Sequence, residues 1–301
     1  TFTWMQLCNR LLQMTGNSLY ADYMETAIYN ALMASLKADA SQIAKYSPLE
    51  GWRHEGEEQC GMHINCCNAN GPRAFAMIPQ FAYQVQDDCV RVNFYAPSEA
   101  ELVLPGKKPV RLKQTTDYPQ TDQIEIEVDP AKETAFTIAL RIPAWSKIAV
   151  VSVNGQPQDG VLQGAYLPVN RKWKKGDRIT VKLDLRARLV ERNQAQAIVR
   201  GPVVLARDSR FGDGFVDEAS VVVSKDGYVE LTPVKAPGFA WLAFTAPMVL
   251  RTDLESNRAP KQIHFCDFAS AGNTWDKTQR YRVWLPKTLN VMHSPYRPYN
   301  Q

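Results

Sequence analysis

Three of the six cysteines in this 301-residue chain fall within eight residues, between Cys60 and Cys67. Thiolates are soft ligands that zinc prefers, and a zinc site usually takes four ligands from cysteine, histidine or carboxylate side chains. Cys66 and Cys67 are adjacent, and His63 lies between them and Cys60. Nearby carboxylates could complete such a set: Glu55, Glu57 and Glu58. A metal site is therefore one hypothesis for this stretch.

The adjacent pair, Cys66 and Cys67, is open to two other interpretations. A thiolate is the nucleophilic form of cysteine, and a bound cation or a helix N-terminus lowers its pKa. Pro72 predicts that a helix begins just after the pair. Unligated thiols packed in a core are the third interpretation, since cysteine is often buried as a small apolar residue. Spacing alone leaves all three open.

The surroundings of the pair restrict the kind of metal site. Adjacent side chains diverge on a helix or a strand, so both cysteines could bind one metal only from an irregular loop, which the sequence predicts here. No C-x-x-C pair occurs, which disfavours a zinc ribbon or a thioredoxin-like site. The uneven cysteine spacing in a large chain is not typical of a disulfide framework.

Composition and charge exclude several function classes. The chain is 45% hydrophobic and 22% charged, as in ordinary globular proteins. Its net charge of +4 is small, and basic residues alternate with acidic ones, so we expect no nucleic-acid partner. No apolar run approaches the roughly 20 residues that a membrane span needs.

The first 83 residues have helical periodicity. Apolar residues recur at spacings of three and four from Trp4 to Leu12, Gly16 predicts the end of this helix, and Asn17-Ser18 predicts a cap for the next. The segment 20–36 then predicts a second helix with a broad apolar face. An irregular stretch over about 37–70 follows, and loops of that length are commonly functional. A third helix is predicted from Pro72 to Phe81.

The sequence period changes to two after Tyr83. Alternating runs such as "DQIEIEV", "TAFTIALRI" and "DRITVKLDL" are separated by turn sequences such as "NGQ" and "KKGD". This pattern favours antiparallel β-sandwich layers. We therefore predict an α+β multidomain protein, with a helical domain in 1–83, a β-sandwich in 84–210 and a further β-rich segment in 211–301.

An ordered series of short motifs extends this interpretation. The strings "YMETAIYNAL", "YSPLEG", "HINCCNANGPRA", "ALRIPAW", "VSVNG", "YLPVNRKWKKGD" and "GPVVLARD" follow one another in the chain. Together they resemble the C-terminal portion of glycoside hydrolase family 127, the β-L-arabinofuranosidase-like enzymes. The resemblance runs from Thr1 to about Arg210 and is weak beyond it. The Cys-Cys pair at the centre of the series makes it specific.

The resemblance implies a fold and a set of site residues. It implies that 1–83 forms the end of an (α/α)6 barrel that carries the active site, with β-sandwich domains after it. Cys66 would be the nucleophile that attacks the anomeric carbon, and Cys66 and Cys67 would bind Zn²⁺. The other zinc ligands, a Glu-x-Cys motif, and the acid/base glutamate would lie upstream of Thr1. We therefore expect this chain to be a fragment that is inactive alone.

Two further residues are implied as substrate-binding residues. Glu25 matches a family glutamate that contacts the sugar, although on spacing alone a solvated helix carboxylate is the simpler interpretation. Tyr46 matches a family tyrosine of the pocket, and the alternative is a loop tyrosine packed on the barrel rim. Many relatives have prolines directly after the cysteine pair, whereas this chain has "NANGPR", which leaves the sugar open. No role is transferred to Cys60 or His63.

The resulting hypothesis is a retaining glycosidase that acts on β-L-arabinofuranosides or related plant-polysaccharide sugars. Retention needs a nucleophile on one face of the anomeric carbon and an acid at the leaving oxygen, and zinc would keep the nucleophilic sulfur ionised. The alternatives are a carbohydrate-binding or structural protein of the same fold and a metal-storing or redox thiol protein. We expect a carbohydrate partner and allow for a homodimer. The compartment, periplasmic or cytoplasmic, stays open.

Overall fold

The computed structural model of the chain describes residues 1–56, 66–218, 220–250 and 259–287. It is rich in β-structure, with helices near the beginning and strands following Tyr83, as the change of period predicts. The helices are α1 (Phe2–Thr15), α2 (Leu19–Ala27) and α3 (Cys66–Ala82), and shorter helical turns lie at Ile28–Leu32, Met33–Ser35 and Ser209–Phe211. None of the helices in these ranges is long and apolar enough to cross a membrane.

Twenty-one strands are described. The first eleven are β1 (Glu50–Gly51), β2 (Tyr83–Gln86), β3 (Cys89–Val92), β4 (Ser98–Leu104), β5 (Lys108–Thr116), β6 (Gln123–Pro130), β7 (Thr134–Ile142), β8 (Val150–Val153), β9 (Gln156–Pro157), β10 (Ala165–Trp173) and β11 (Asp177–Lys182). The remaining ten are β12 (Ala187–Arg192), β13 (Ala195–Arg200), β14 (Val203–Asp208), β15 (Ser220–Val222), β16 (Tyr228–Val229), β17 (Thr232–Pro233), β18 (Ala243–Leu250), β19 (Lys261–Asp267), β20 (Tyr281–Arg282) and β21 (Leu285–Pro286).

Helix α1 confirms the predicted periodicity and its predicted end. Met5, Cys8 and Leu12 are spaced by three and four residues and are buried. Gly16 follows the helix with a φ of 67°, and its N–H donates to the carbonyl of Leu12 at 2.8 Å. This left-handed conformation is common after a helix because glycine lacks the Cβ that would oppose it.

Helix α2 is shorter than the predicted second helix. Asn17 caps it, because its Oδ1 accepts from the N–H of Leu19 at 3.0 Å. After Ala27 the backbone is π-helical over Ile28–Leu32 and then 3-10 helical over Met33–Ser35. The apolar face predicted for this segment is buried at Met24, Ile28 and Leu32.

Helix α3 differs from the prediction at its beginning. The chain is helical over Cys66–Ala82, so the helix includes the cysteine pair and contains both Pro72 and Pro79. The prediction that the pair lies in an irregular loop before a helix that begins at Pro72 is wrong. A proline within a helix lacks one N–H donor but does not forbid the helix when the surrounding packing stabilises it.

The chain forms two compact units, each built from two stretches. The first unit comprises 1–27 and 72–185, and the second comprises 28–71 and 186–301. The predicted division of the chain into 1–83, 84–210 and 211–301 stays a prediction.

The first unit contains two sheets. One has four strands in the order β10-β7-β3-β2, and the other has six in the order β4-β5-β6-β11-β8-β9. All of their pairs are antiparallel except β3 with β7, which is parallel and departs from the predicted pattern. Apolar side chains alternate toward the core, as at Ile124, Ile126 and Val128 of β6.

The second unit contains one sheet of eleven strands. Its main order is β15-β18-β19-β14-β13-β12-β16, with β17 beside β18, β20 beside β14 and β1, and β21 beside β13. Its core includes Phe244, Met248 and Phe265. The π-helical turn is bound to this sheet through Asn30, whose Nδ2 donates to Pro202 O and whose Oδ1 accepts from Val204 N–H, each at 2.8 Å.

Candidate active site

The cysteine pair lies in the first helical turn described for α3. Cys66 is exposed and Cys67 is partly buried. Their sulfur atoms are 4.0 Å apart, far beyond the roughly 2.05 Å of a disulfide bond. Two thiolates on a tetrahedral zinc ion, each about 2.3 Å from the metal, lie about 3.8 Å apart. The divergence expected of adjacent helical side chains therefore does not keep the two sulfurs too far apart for one metal.

Of the other possible ligands predicted from the sequence, Glu55 is the one that lies among the described residues. Outside the undescribed segments, no group of three or more histidine, cysteine or acidic side chains is arranged to hold a metal. Glu57, Glu58, Cys60 and His63 lie outside the described residues. Glu55 is exposed, and its carbonyl accepts from the N–H of Lys45 at 2.8 Å. The possible metal ligands that the described residues bring together are therefore the thiols of Cys66 and Cys67.

The surroundings of Cys67 act on the pKa of its thiol in opposite directions. Burial raises the pKa of the Cys67 thiol, and the hydrogen bond and charge of Cys66 raise it further, while the nearby charge of Lys45 lowers it. Lys45 belongs to the segment that precedes α3. The same segment also contacts α3, because a Cβ added at Gly71 would lie 2.2 Å from Cδ1 of Ile43. A side chain at position 71 would therefore displace the end of the Ile43 side chain.

Glu25 is buried in the first unit, with only 2% of its surface exposed. Its Oε1 accepts from Nη2 of Arg141 at 2.6 Å and from the hydroxyl of Tyr118 at 2.8 Å. Its Oε2 accepts from Nε1 of Trp145 at 3.3 Å. This is not the solvated helix carboxylate that spacing alone suggests, because the side chain is enclosed and hydrogen-bonded.

Arg141 connects Glu25 to a second buried carboxylate on α2. Its Nη1 donates to Oδ1 of Asp22, and its Nε donates to the carbonyl of Asn93 at 2.5 Å. Asp22 also accepts from the N–H of Ala144 at 2.9 Å. Burial alone would lower the pKa of Arg141, but the charges of Glu25 and Asp22 outweigh it and raise that pKa well above its usual value. The cluster therefore holds α2 to the strand β7.

Tyr46 lies in the second unit with 55% of its surface exposed. It precedes β1, and a Cβ at Gly56 would come within 3.2 Å of its ring. Gly56 has a φ of 93°, a conformation that favours glycine. Tyr46 and Cys66 are thus both exposed. The structure thus places Tyr46 and the cysteine pair in the second unit and Glu25 in the first.

Arg141, Tyr118 and Trp145 are partners that the sequence did not identify. Arg141 and Trp145 stand in the string "ALRIPAW", which contributed to the resemblance but received no role. The available signal was an arginine within an otherwise apolar alternating strand, because a charge there needs a buried partner. Its partners lie 116 and 119 positions away in sequence, so no local spacing indicates them.

Two family models match the chain. The β-L-arabinofuranosidase family 127 catalytic domain matches residues 1–80, and the β-L-arabinofuranosidase family 127 middle domain matches residues 89–185. The two matched ranges together cover more than half of the chain, and the first contains both Glu25 and the cysteine pair. Both models describe domains of one enzyme family.

A curated relative and two solved structures are similar to the chain. The non-reducing end β-L-arabinofuranosidase of Bifidobacterium longum subsp. longum is 26% identical over 222 residues, which is 65% of this chain and 32% of that protein. A family 127 β-L-arabinofuranosidase from Geobacillus stearothermophilus T6 is 21% identical with a TM-score of 0.78, over 95% of this chain and 49% of the other. A family 127 β-arabinofuranosidase structure is 23% identical with a TM-score of 0.80, over 95% of this chain and 48% of the other.

The chain thus spans about a third of the curated relative and about half of each solved structure. At these identities the structural likeness concerns the fold. The domain matches, which are independent of the structural likeness, carry the assignment of the family. On their evidence the chain belongs to glycoside hydrolase family 127.

Proposed function

We propose that the protein of which this chain is a part is a retaining glycoside hydrolase for β-L-arabinofuranosides or related plant-polysaccharide sugars. In this proposal Cys66 is the nucleophile, and Cys66 and Cys67 are ligands of a zinc ion. The observation that carries it is the adjacent thiol pair, with sulfurs 4.0 Å apart, in a chain of family 127. A non-catalytic carbohydrate-binding protein of the same fold is the alternative that the experiments below separate from it.

The proposal extends to the architecture. We infer that α1, α2 and α3 belong to the end of an (α/α)6 barrel and that the two sheets of the first unit form a β-sandwich. The helices of this unit expose large apolar side chains, including Trp4, Leu7 and Met14, with 46%, 49% and 81% of their surfaces exposed. Such faces are typical of helices that pack against further helices.

The chemistry assigned to the chain's own residues is a double displacement at the anomeric carbon. The Cys66 sulfur forms a bond to that carbon as the bond to the leaving oxygen breaks, and the leaving oxygen takes a proton from a general acid that the family resemblance places outside this chain. Water then displaces the sulfur, and two inversions give retention. A bound zinc ion supplies a positive charge that keeps thiols ionised near neutral pH.

The proposed substrate-binding residues have different surroundings. Tyr46 is exposed and a phenolic hydroxyl can bond a sugar hydroxyl, so we propose it as a substrate contact. Glu25 stays a prediction, since a sugar hydroxyl would have to share oxygens that already accept from Arg141, Tyr118 and Trp145. A carboxylate oxygen has two lone pairs, so sharing is chemically allowed.

The central experiment replaces the nucleophile in the protein with its complete natural sequence. Cys66→Ser should lower kcat on an aryl β-L-arabinofuranoside by at least about 10³-fold, because removal of a nucleophile forfeits the covalent route. Cys89→Ser, at a partly buried cysteine of β3, is the matched control and should change kcat by less than about twofold. Undiminished turnover of Cys66→Ser would contradict the nucleophile assignment.

Metal analysis tests the ligand assignment separately. The wild-type protein should contain one zinc ion per chain, and Cys67→Ser should lose most of it, since two thiolates of the set would become one. A protein that is fully active without zinc would contradict the proposal that zinc is the cofactor. Zinc without turnover would favour a metal-storing protein, and sugar binding without turnover in every form would favour the non-catalytic alternative.

A further inference from the structure

Arg53 is a buried arginine with no exposed surface in the second unit, only four positions before the undescribed segment 57–65 that leads to Cys66. It belongs to residues 43–56, here named the anchor segment, which also contains Tyr46. The sequence predicted this region as part of an irregular stretch. A fully buried guanidinium is rare in such a stretch, because its desolvation costs several kcal/mol unless its donors are occupied.

The guanidinium of Arg53 is held by backbone carbonyls and aromatic rings. Its Nη1 donates to Ala34 O and, at 3.3 Å, to Ala269 O, while its Nη2 donates to Phe268 O. Its Cζ lies 4.7 Å from the ring centroid of Phe268 and 5.1 Å from that of Tyr281. One side chain therefore joins the anchor segment both to the 3-10 turn Met33–Ser35 and to the chain after β19.

Backbone bonds join the same segment to strand β20 and its neighbours. Strand β1 pairs antiparallel with β20, the N–H of Val283 donates to Leu49 O at 2.9 Å, and the hydroxyl of Tyr281 donates to Pro48 O at 2.5 Å. Gly272 makes room for this tyrosine, since a Cβ there would lie 2.6 Å from the ring of Tyr281. The residues after β19 thus pack against the anchor segment.

The anchor segment in turn contacts the helix of the cysteine pair. The N–H of Lys45 donates to Glu55 O at 2.8 Å, which closes the segment on itself just beyond Arg53. Ile43, two residues before Lys45, packs against Gly71 of α3. A displacement of the anchor segment would therefore move the surface on which the first turns of α3 rest.

We propose that Arg53 is a positioning residue of the active site: it fixes the anchor segment to the C-terminal strands so that Tyr46 and the first turns of α3 are held in place for substrate. This inference rests on the proposed function. It assigns to the C-terminal strands of the second unit a role in shaping a site whose reacting atoms are on α3.

The test uses Arg53→Met and Arg53→Lys in the protein with its complete natural sequence. For Arg53→Met we expect amide hydrogen exchange in the anchor segment to be at least about 10-fold faster, because the bonds that hold it closed are lost. We expect kcat/KM on an aryl β-L-arabinofuranoside to fall about 10- to 100-fold, since small displacements of a site have effects of that size. Exchange in β6, in the other unit, should not change.

Arg207→Met is the matched control. Arg207 is also buried, with 1% of its surface exposed, and its hydrogen bond goes to Ser220 rather than to the anchor segment. It should leave exchange in the anchor segment and kcat/KM within about twofold of the wild type. Equal effects of both variants would overturn the proposal, because loss of any buried arginine would then suffice.

Arg53→Lys tests the shape of the guanidinium and remains informative where Arg53→Met does not fold. A lysine keeps the charge, but a single ammonium cannot reach carbonyls on both sides as the planar fork does. Exchange in the anchor segment should therefore stay faster than in the wild type by about 3-fold or more. Wild-type exchange in Arg53→Lys, or in Arg53→Met, would overturn the proposal.

Failure of the proposed function gives a different result. A wild-type protein without turnover would remove the kinetic readout and refute the glycosidase assignment. The exchange measurements would still decide whether Arg53 holds the anchor segment in place.

Discussion

Arg141 in the first unit and Arg53 in the second are both fully buried, but their charges are compensated differently. Arg141 donates to the carboxylates of Asp22 and Glu25, whereas the bonds of Arg53 go to three backbone carbonyls, and its Nε has no hydrogen-bond partner among the described residues. The pKa values follow: that of Arg141 is raised well above its usual value by the two carboxylates, despite burial, and that of Arg53 is lowered, chiefly by burial.

The difference indicates two ways of placing a site residue. In the first unit, ion pairs fix a helix that carries a predicted sugar contact, and the carboxylates are buried along with their partner. In the second unit, Arg53 holds a loop in place by hydrogen bonds to neutral carbonyl groups. Its removal therefore leaves no unpaired buried charge. The cost of breaking each arrangement should therefore differ, because an unpaired buried charge is far less favourable than an unpaired carbonyl.

Arg141→Met should give the largest loss of stability. It leaves Asp22 and Glu25 buried without their cation, which typically costs about 3–5 kcal/mol in the free energy of unfolding. Urea unfolding followed by tryptophan fluorescence measures it. Arg178→Met, at an exposed pair with Glu125 whose charged atoms are 2.9 Å apart, is the control and should cost less than about 1 kcal/mol. Equal losses would show that the buried pairing is not what stabilises α2.

Arg53→Met should cost less, about 1–3 kcal/mol, because it leaves the carbonyls of Ala34, Phe268 and Ala269 without donors but removes a desolvated charge. The same urea experiment provides the comparison. A loss larger than that of Arg141→Met would break the distinction between the two arginines, since it would mean that the carbonyl and ring contacts outweigh two buried ion pairs.

The sequence predicted those parts of the fold that depend on local causes. The helix end at Gly16 follows from the conformation that glycine adopts there, and β7 has the bounds of the run "TAFTIALRI" because alternation fixes which residues face inward. The extent of α3 was wrong because Pro72 was interpreted as a first-turn residue. Nothing local distinguishes that case from a proline in the seventh position of a helix, where packing decides.

The surroundings of the candidate site were less predictable for a different reason. Glu25 and Arg141 are 116 positions apart, and Arg53 and Phe268 are 215 apart. A single sequence contains no periodicity that joins such positions, so a buried carboxylate on α2 looks the same as a solvated one until its partner is placed. The cysteine pair was identifiable because its two members are adjacent in sequence.

Asp177 extends the comparison to a buried carboxylate whose hydrogen-bond partners are mostly neutral. Its replacement should give the smallest loss of stability of the three. Burial alone would raise the pKa of its carboxyl, but hydrogen bonds from Lys174 N–H and the Asn154 amide, with the charge of Arg171, lower it below 3.8. Because the pKa is lower in the folded protein, this contribution is present above pH 3.8 and is lost as pH falls through the folded pKa.

Asp177→Asn should therefore lower stability at pH 7 by about 1–2 kcal/mol and flatten the acid limb of the stability curve below pH 4. Urea unfolding between pH 2.5 and 7 would measure both effects, at steps of about half a unit. Asp122→Asn, at an exposed pair with Lys182 whose charged atoms are 3.7 Å apart, is the control and should leave the acid limb unchanged. If the acid limb of Asp177→Asn is unaltered, the neutral donors around Asp177 do not stabilise its buried charge. The comparison with Arg53, whose charge is compensated by neutral acceptors, would then fail.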